Sequence, residues 1–190
     1  GTTDVTRTVV IGVVGDEVKD RFTRVLKGHI NLARARFPQG TVGAQLDTFA
    51  REALWEVGLD YAHGTGHGVG CYLSVHEEAA SISPRGADPV RVGMILSNEP
   101  GYYEEGAYGI RHENLLLCHE SGALSSDGRN LLHFETLTLV PFDRRGITVS
   151  LLRLEEREWL NAYHARVRET LIPYLDEAEQ AWLIAATRPV

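Results

Sequence analysis

The chain has 190 residues, 43% of them hydrophobic and 24% charged, with a formal net charge of −7 and a pI near 5.6. That length suits one domain with a sizeable core, and an acidic balance without clustered Lys and Arg excludes a nucleic-acid surface. No apolar run approaches the roughly 18 residues that span a bilayer. Two cysteines in unrelated contexts, Cys71 and Cys118, exclude a disulfide scaffold. With no export signal at the start, the expected location is cytoplasmic.

Residues 6–14 are rich in Thr, Val and Ile and read as a strand, with Asp4, Thr6 and Thr8 on one face. Because the sequence opens directly on this strand, a piece of a longer chain is expected, with the strand's outer edge unpaired. From Gly15 to Arg36, Val18, Phe22, Val25, Leu26, Ile30, Leu32 and Ala33 recur at helical spacing, and Pro38-Gln39-Gly40 ends the run. A second helix is expected from an N-cap at Thr41 to Val57, burying Leu46, Phe49, Ala50, Ala53 and Leu54, with Gly58 as its stop. Residues 63–70 are too glycine-dense for a helix, and three strands are expected at 91–98, 109–118 and 132–140. The tail returns to helices, at 151–171 with Trp159, Leu160, Tyr163 and Val167 inward, and at 176–187. The charge run Glu155-Glu156-Arg157-Glu158 reads as a solvated face.

The glycine-rich segment fits neither a phosphate loop nor a zincin helix. No Lys follows it, and Gly64 stands where a zincin needs Glu. What remains is a backbone able to approach a metal or substrate closely, with His63 and His67 along it and His76 nine residues beyond. Glu99 ends a strand before Pro100-Gly101. Glu113 lies within a strand whose alternation puts Arg111, Glu113 and Leu115 on one face and His112 and Asn114 on the other. A carboxylate in an apolar strand is costly unless paired or metal-bound, and an ion pair with Arg111 is the alternative for Glu113. Asp4, His67, Glu99 and Glu113 make an oxygen-rich set with one nitrogen and no thiolate, suited to Mn²⁺, Co²⁺ or Zn²⁺. Glu135 is a further in-strand carboxylate, either another ligand or a structural group near the site.

Together His63-Gly-Thr-Gly-His67-Gly-Val-Gly70, Val75-His76-Glu77, Asn98-Glu-Pro-Gly-Tyr-Tyr103, Gly109-Ile-Arg-His-Glu-Asn114 and Phe134-Glu-Thr-Leu-Thr-Leu-Val-Pro141 resemble aminopeptidase P. This is the Xaa-Pro aminopeptidase branch of the pita-bread metallopeptidases. The opening Gly1-Thr-Thr-Asp-Val-Thr-Arg-Thr8 resembles the family's second metal-aspartate strand. Glu158-Trp-Leu-Asn-Ala-Tyr-His164 and Trp182-Leu-Ile-Ala-Ala-Thr187 resemble the C-terminal extension of its long members. The resemblance covers essentially the whole chain.

The resemblance implies an α+β pita-bread fold, incomplete at its N-terminal side. The catalytic portion would occupy residues 1–141 and a helical extension residues 142–190. It implies two divalent ions, Mn²⁺ foremost, held by Asp4, His67, Glu99 and Glu113, with Asp4 and Glu113 touching both. A water bridging the ions would be acidified to hydroxide and attack the carbonyl before proline. Glu99 would carry the proton, His76 or His63 would stabilise the oxyanion, and Arg111 would orient a ligand carboxylate. Expected partners are peptides with proline second, a homodimer mate and an upstream part of the same polypeptide. The family carries another aspartate and another His upstream of Gly1, so the chain is one ligand short of the family's set. His112, where many relatives carry an aliphatic residue, faces away from the ligands. Two other readings remain, a prolidase-type dipeptidase and a pita-bread binding protein without catalysis.

Overall fold

The computed structural model describes residues 3–70, 72, 74–76 and 78–190. Chain order runs β1 (Thr6–Arg7), α1 (Asp16–Ala33), β2 (Arg36–Pro38), α2 (Gly43–Trp55), β3 (Gly66–Gly68), β4 (Glu78–Ile82), β5 (Ile95–Asn98) and β6 (Gly101–Glu104). It continues with β7 (Tyr108–Leu124), β8 (Asn130–Thr136), α3 (Leu154–Leu171) and α4 (Glu177–Ala186). The strands form one antiparallel sheet in the order β2-β8-β7-β5-β3-β4, with β1 and β6 also on β7.

β7 is the spine, and it changes partners along its length. Tyr108 to Arg111 pairs with β6, and His112 and Glu113 pair with β1. From Asn114 onward the strand lies against β5 and β8. This exchange brings the ends of β1 and β5 to the same stretch of β7, and the site is built there.

α1 starts with Asp16 and Glu17, whose charges suit a helix N-terminus, and buries Phe22, Val25, Leu26 and Ile30 against the sheet. It packs on α2 through Gly28, where a Cβ would sit 2.0 Å from the Ala50 carbonyl oxygen. α2 buries Leu46 and Ala50 against Ile82, Leu96, Leu116 and Leu132. The tail shares the α1 core, with Phe142, Leu160, Tyr163, Val167 and Leu183 all buried there. Each such side chain contributes roughly 1.5–3 kcal/mol when fully buried.

Several expectations change. The strand read over 6–14 shortens to Thr6–Arg7 because competing contacts take its backbone. Thr8 bonds the Arg111 backbone with its hydroxyl, Asp143 captures the Val10 amide at 2.8 Å, and Gly12 turns with φ +75°. Val9, Ile11 and Val13 are left exposed. The strand at 91–98 begins only at Ile95, after a turn at Gly93, and the strand at 132–140 ends at Thr136. β7 extends to Leu124, beyond the expected 118, and β6 follows directly on Pro100, where only a turn was expected. Phe49 is exposed on α2. Glu156 is fully buried, because Lys27 of α1 meets it at 2.7 Å and Arg153 at 2.8 Å. A charge run on one strip of helix hides that one member faces a lysine from another helix.

Candidate metal centre

β3 runs between β4 and β5 because glycine lets it. A Cβ at Gly66 would lie 1.9 Å from the Ser97 carbonyl oxygen, inside the β5 backbone. That close approach brings the backbone amide of His67 to the Ser97 hydroxyl at 2.9 Å, and the same hydroxyl donates to Glu99 Oε1 at 3.0 Å. Ser97 therefore aligns two functional side chains at once. From the other side, Thr6 of β1 sits opposite Glu113, donates its hydroxyl to that carboxylate, and carries Asp4 in with it.

The four side chains named from the sequence meet here. Ligand atoms of Asp4, His67 and Glu113 lie within 4.8 Å of one another. His67 Nε2 is 3.2 Å from Asp4 Oδ2 and 3.4 Å from Glu99 Oε1. The tautomer follows from the hydrogen bonds. His67 Nδ1 faces the Gly68 carbonyl at 3.0 Å, which can only accept, so Nδ1 carries the proton. Nε2 then faces two carboxylates. Such a group needs a positive charge among its members, from a ring proton or a metal ion, and Asp4 Oδ2 is itself buried without a hydrogen-bond partner. Glu113 is 3% exposed. Burial, reinforced by the charges of Glu99 and Asp4, pushes its carboxyl up to about 7, against the opposing pull of its Thr6 hydrogen bond and of Arg111. Three carboxylates around one imidazole in this crowding fit a hard or borderline divalent cation.

A second cluster stands beside the first. Arg111, from the same face of β7 as Glu113, reaches Glu99 Oε2 at 3.4 Å and donates from Nε to the Tyr103 hydroxyl at 2.8 Å. Tyr103 in turn meets His63 Nε2 at 2.9 Å, while His63 Nδ1 faces the Gly64 carbonyl at 2.8 Å. With its proton on Nδ1, a neutral His63 accepts from Tyr103, and the chain runs Arg111 to Tyr103 to His63. Burial, with the nearby Arg111 and Arg51 charges, lowers the His63 pKa despite its bond to Gly64 and the Glu99 charge, favouring that neutral form. The exposed His76 ring lies 4.1 Å from the His67 ring, at the mouth.

Glu135 takes no part. It pairs with His119 at 2.9 Å and Arg166 at 3.3 Å, opposite Leu117 in the register. That is four residues along β7 from Glu113, roughly 13 Å at strand rise. Cys71 and Glu77 lie outside the described residues. Sequence reasoning gave no role to Tyr103, Ser97 or Thr6. The available signals were a hydroxyl inside the apolar run 94–98 and a tyrosine four residues past Glu99.

Residues 1–120 match the model of metallopeptidase family M24, and residues 130–190 match the C-terminal region of peptidase M24. Aminopeptidase P2 of Arabidopsis thaliana is 51% identical over 100% of this chain and 27% of its own length. Aminopeptidase P1 of Lotus japonicus is 49% identical over 100% and 29%. An X-prolyl aminopeptidase from Caenorhabditis elegans, described as a cytosolic enzyme with a di-nuclear active site, superposes with a TM-score of 0.92 and 47% identity. It covers 100% of this chain and 32% of that one. An Xaa-Pro dipeptidase from Bacillus anthracis gives 0.60 and 28%, over 74% and 36%. The fold is that of the pita-bread enzymes, and this chain spans less than a third of the curated relatives it matches.

Proposed function

Since the chain belongs to metallopeptidase family M24, we propose that it is the metal-bearing portion of an Xaa-Pro aminopeptidase, which hydrolyses the bond between an N-terminal residue and proline. The observation that carries this reading is the convergence of Asp4, His67, Glu99 and Glu113 on one another, with one buried carboxylate oxygen left unpartnered. These four would hold divalent cations, and the carboxylate-rich set favours Mn²⁺ over softer metals. The chemistry that such ions supply when bound is acidification of water and polarisation of a carbonyl.

The rest falls to the chain's own side chains. Glu99 holds one oxygen toward His67 and the other toward Arg111, so it is poised to take the water's proton and pass it to the leaving proline nitrogen. Arg111 fixes the Glu99 carboxylate and the Tyr103 hydroxyl together. His63, in its neutral form, and His76 line the approach to the metal cluster and would hold the peptide and its developing oxyanion. Residues 1–141 would form the catalytic portion and 142–190 an extension that buttresses it.

A cytoplasmic setting is supported by the likeness to a cytosolic X-prolyl aminopeptidase, and no helix is long and apolar enough to cross a membrane among the described residues. A homodimer follows from the sequence resemblance to aminopeptidase P. The experiment is a metal analysis of the full polypeptide, followed by hydrolysis of Xaa-Pro-Xaa and Xaa-Pro peptides. Bound divalent metal with cleavage of the longer peptide is the expected result. Cleavage of dipeptides alone would make it a prolidase, and absence of both metal and cleavage would leave a binding protein.

A further inference from the structure

Arg7 is a basic residue with no role in the reading above. Its half-buried guanidinium sits immediately behind the carboxylate cluster, and each of its hydrogen bonds goes to a neutral oxygen. Nη1 donates to the carbonyls of Thr6 at 2.9 Å and Glu113 at 2.7 Å. Nη2 donates to Asn114 Oδ1 at 2.6 Å, to the Val140 carbonyl at 2.7 Å and to the Tyr163 hydroxyl at 3.0 Å. Nε reaches the Pro141 carbonyl at 3.2 Å, and the plane lies 4.1 Å over the Phe142 ring. One side chain thus ties together β1, which follows Asp4, the strand bearing Glu113, the crossing segment 140–141 and helix α3.

Tyr163 completes the tie. Its hydroxyl accepts from Arg7 and from the Val140 amide at 3.2 Å, and donates to the Val140 carbonyl at 2.7 Å. Its ring is stacked on Trp159 at 5.3 Å with an interplanar angle of 3°. We propose that Arg7, held by Tyr163, is a positioning residue that sets the spacing between Asp4 and Glu113, making the C-terminal extension a working part of the metal centre. This rests on the metal reading above. The fork geometry is essential: five N–H donors at fixed angles can bridge three chain segments, and an ammonium cannot.

The test uses the full polypeptide carrying Tyr163→Phe or Arg7→Lys, with Leu183→Ala as a control that weakens the extension's core without touching Arg7. Mn²⁺ affinity is measured by calorimetry at a temperature where circular dichroism shows every variant folded. The expected result is an affinity about 10–100-fold weaker for Arg7→Lys. A smaller loss is expected for Tyr163→Phe, and wild-type affinity for Leu183→Ala. Wild-type affinity in both test variants, whatever their melting temperatures, would overturn the proposal by leaving Arg7 a purely structural staple. So would an equal loss in Leu183→Ala, which would mark a general effect of stability. Failure of the unaltered protein to bind Mn²⁺ would remove the metal reading and this proposal with it.

Discussion

The two faces of one short stretch of β7 present opposite solutions to the same difficulty. Arg111 and Glu113 point to the cleft, while His112 and Asn114 point into the core. On the core side the one charge, on Arg7, meets only neutral oxygens, and His29 and Asn114 are paired, while both ring nitrogens of His112 are buried without a hydrogen-bond partner. His29 Nδ1 donates to the His112 carbonyl, Asn114 Nδ2 donates to His29 Nε2, and Asn98 donates to the His29 carbonyl. Burial, with help from the Arg7 charge, lowers the His29 pKa to about 3 and holds His112 well below its usual range. On the cleft side, three carboxylates crowd one imidazole, and like charges are left facing each other. A fold places such unresolved electrostatics where a ligand is to resolve it.

The largest effect should come from the cleft. His67→Ala and Glu113→Gln should each weaken metal binding by about a hundredfold or more and lower kcat/KM about a thousandfold, some 4 kcal/mol. His76→Ala should keep the metal and lose turnover. Equal metal loss in His76→Ala, read by metal analysis after dialysis, would erase the division between ligand and substrate residues.

The two faces should also titrate in opposite directions, which denaturation of the metal-free protein against pH can read. Glu113, raised to about 7, binds a proton in the folded state more readily than in the unfolded chain. Its contribution therefore falls as pH rises from about 4.5 to 7. His29, His112 and His164 have folded pKa values lowered chiefly by burial, His164 to about 4. Their contribution is complete above about 6.5 and is lost as pH falls toward 4, at about 1.4 kcal/mol per pH unit each. By pH 5.5 the three should together cost about 4 kcal/mol, and Glu113→Gln should remove the opposing carboxylate contribution. A Glu113→Gln variant as stable at pH 5.5 as at pH 7.5 would refute it.

A smaller effect is expected from His29→Leu, which leaves the His112 carbonyl and the Asn114 amide unpaired in the core. We expect a loss of about 2–3 kcal/mol in urea unfolding, and a change below 0.5 kcal/mol would show that water replaces the ring. Least of all should be Glu135→Gln. Its partners His119 and Arg166 are exposed, so stability should move by less than about 1 kcal/mol and metal affinity not at all. A metal-binding defect in that variant would reopen Glu135 as a ligand.

Much of this was legible beforehand because local chemistry repeats along the chain. Period-2 alternation separated Glu113 from His112 correctly, and helical spacing found α1, α3 and α4 to within a few residues. Short strands were missed because β2, β3 and β6 are held by neighbours distant in sequence and have no hydrophobic period of their own. Thr6 to Val14 erred the other way: its composition favours a strand, yet Asp143 and a turn at Gly12 remove its backbone from the sheet.

Residue type, order and glycine density by themselves determined which side chains could serve as an oxygen-rich donor set, and the two faces of β7. Tertiary structure alone decided that Ser97 aligns His67 with Glu99, that Tyr103 links Arg111 to His63, and that Glu156 is buried against Lys27 while Glu135 stays outside the site. Each of these joins residues that meet only after folding, through hydrogen bonds whose lengths and angles depend on the packed backbone.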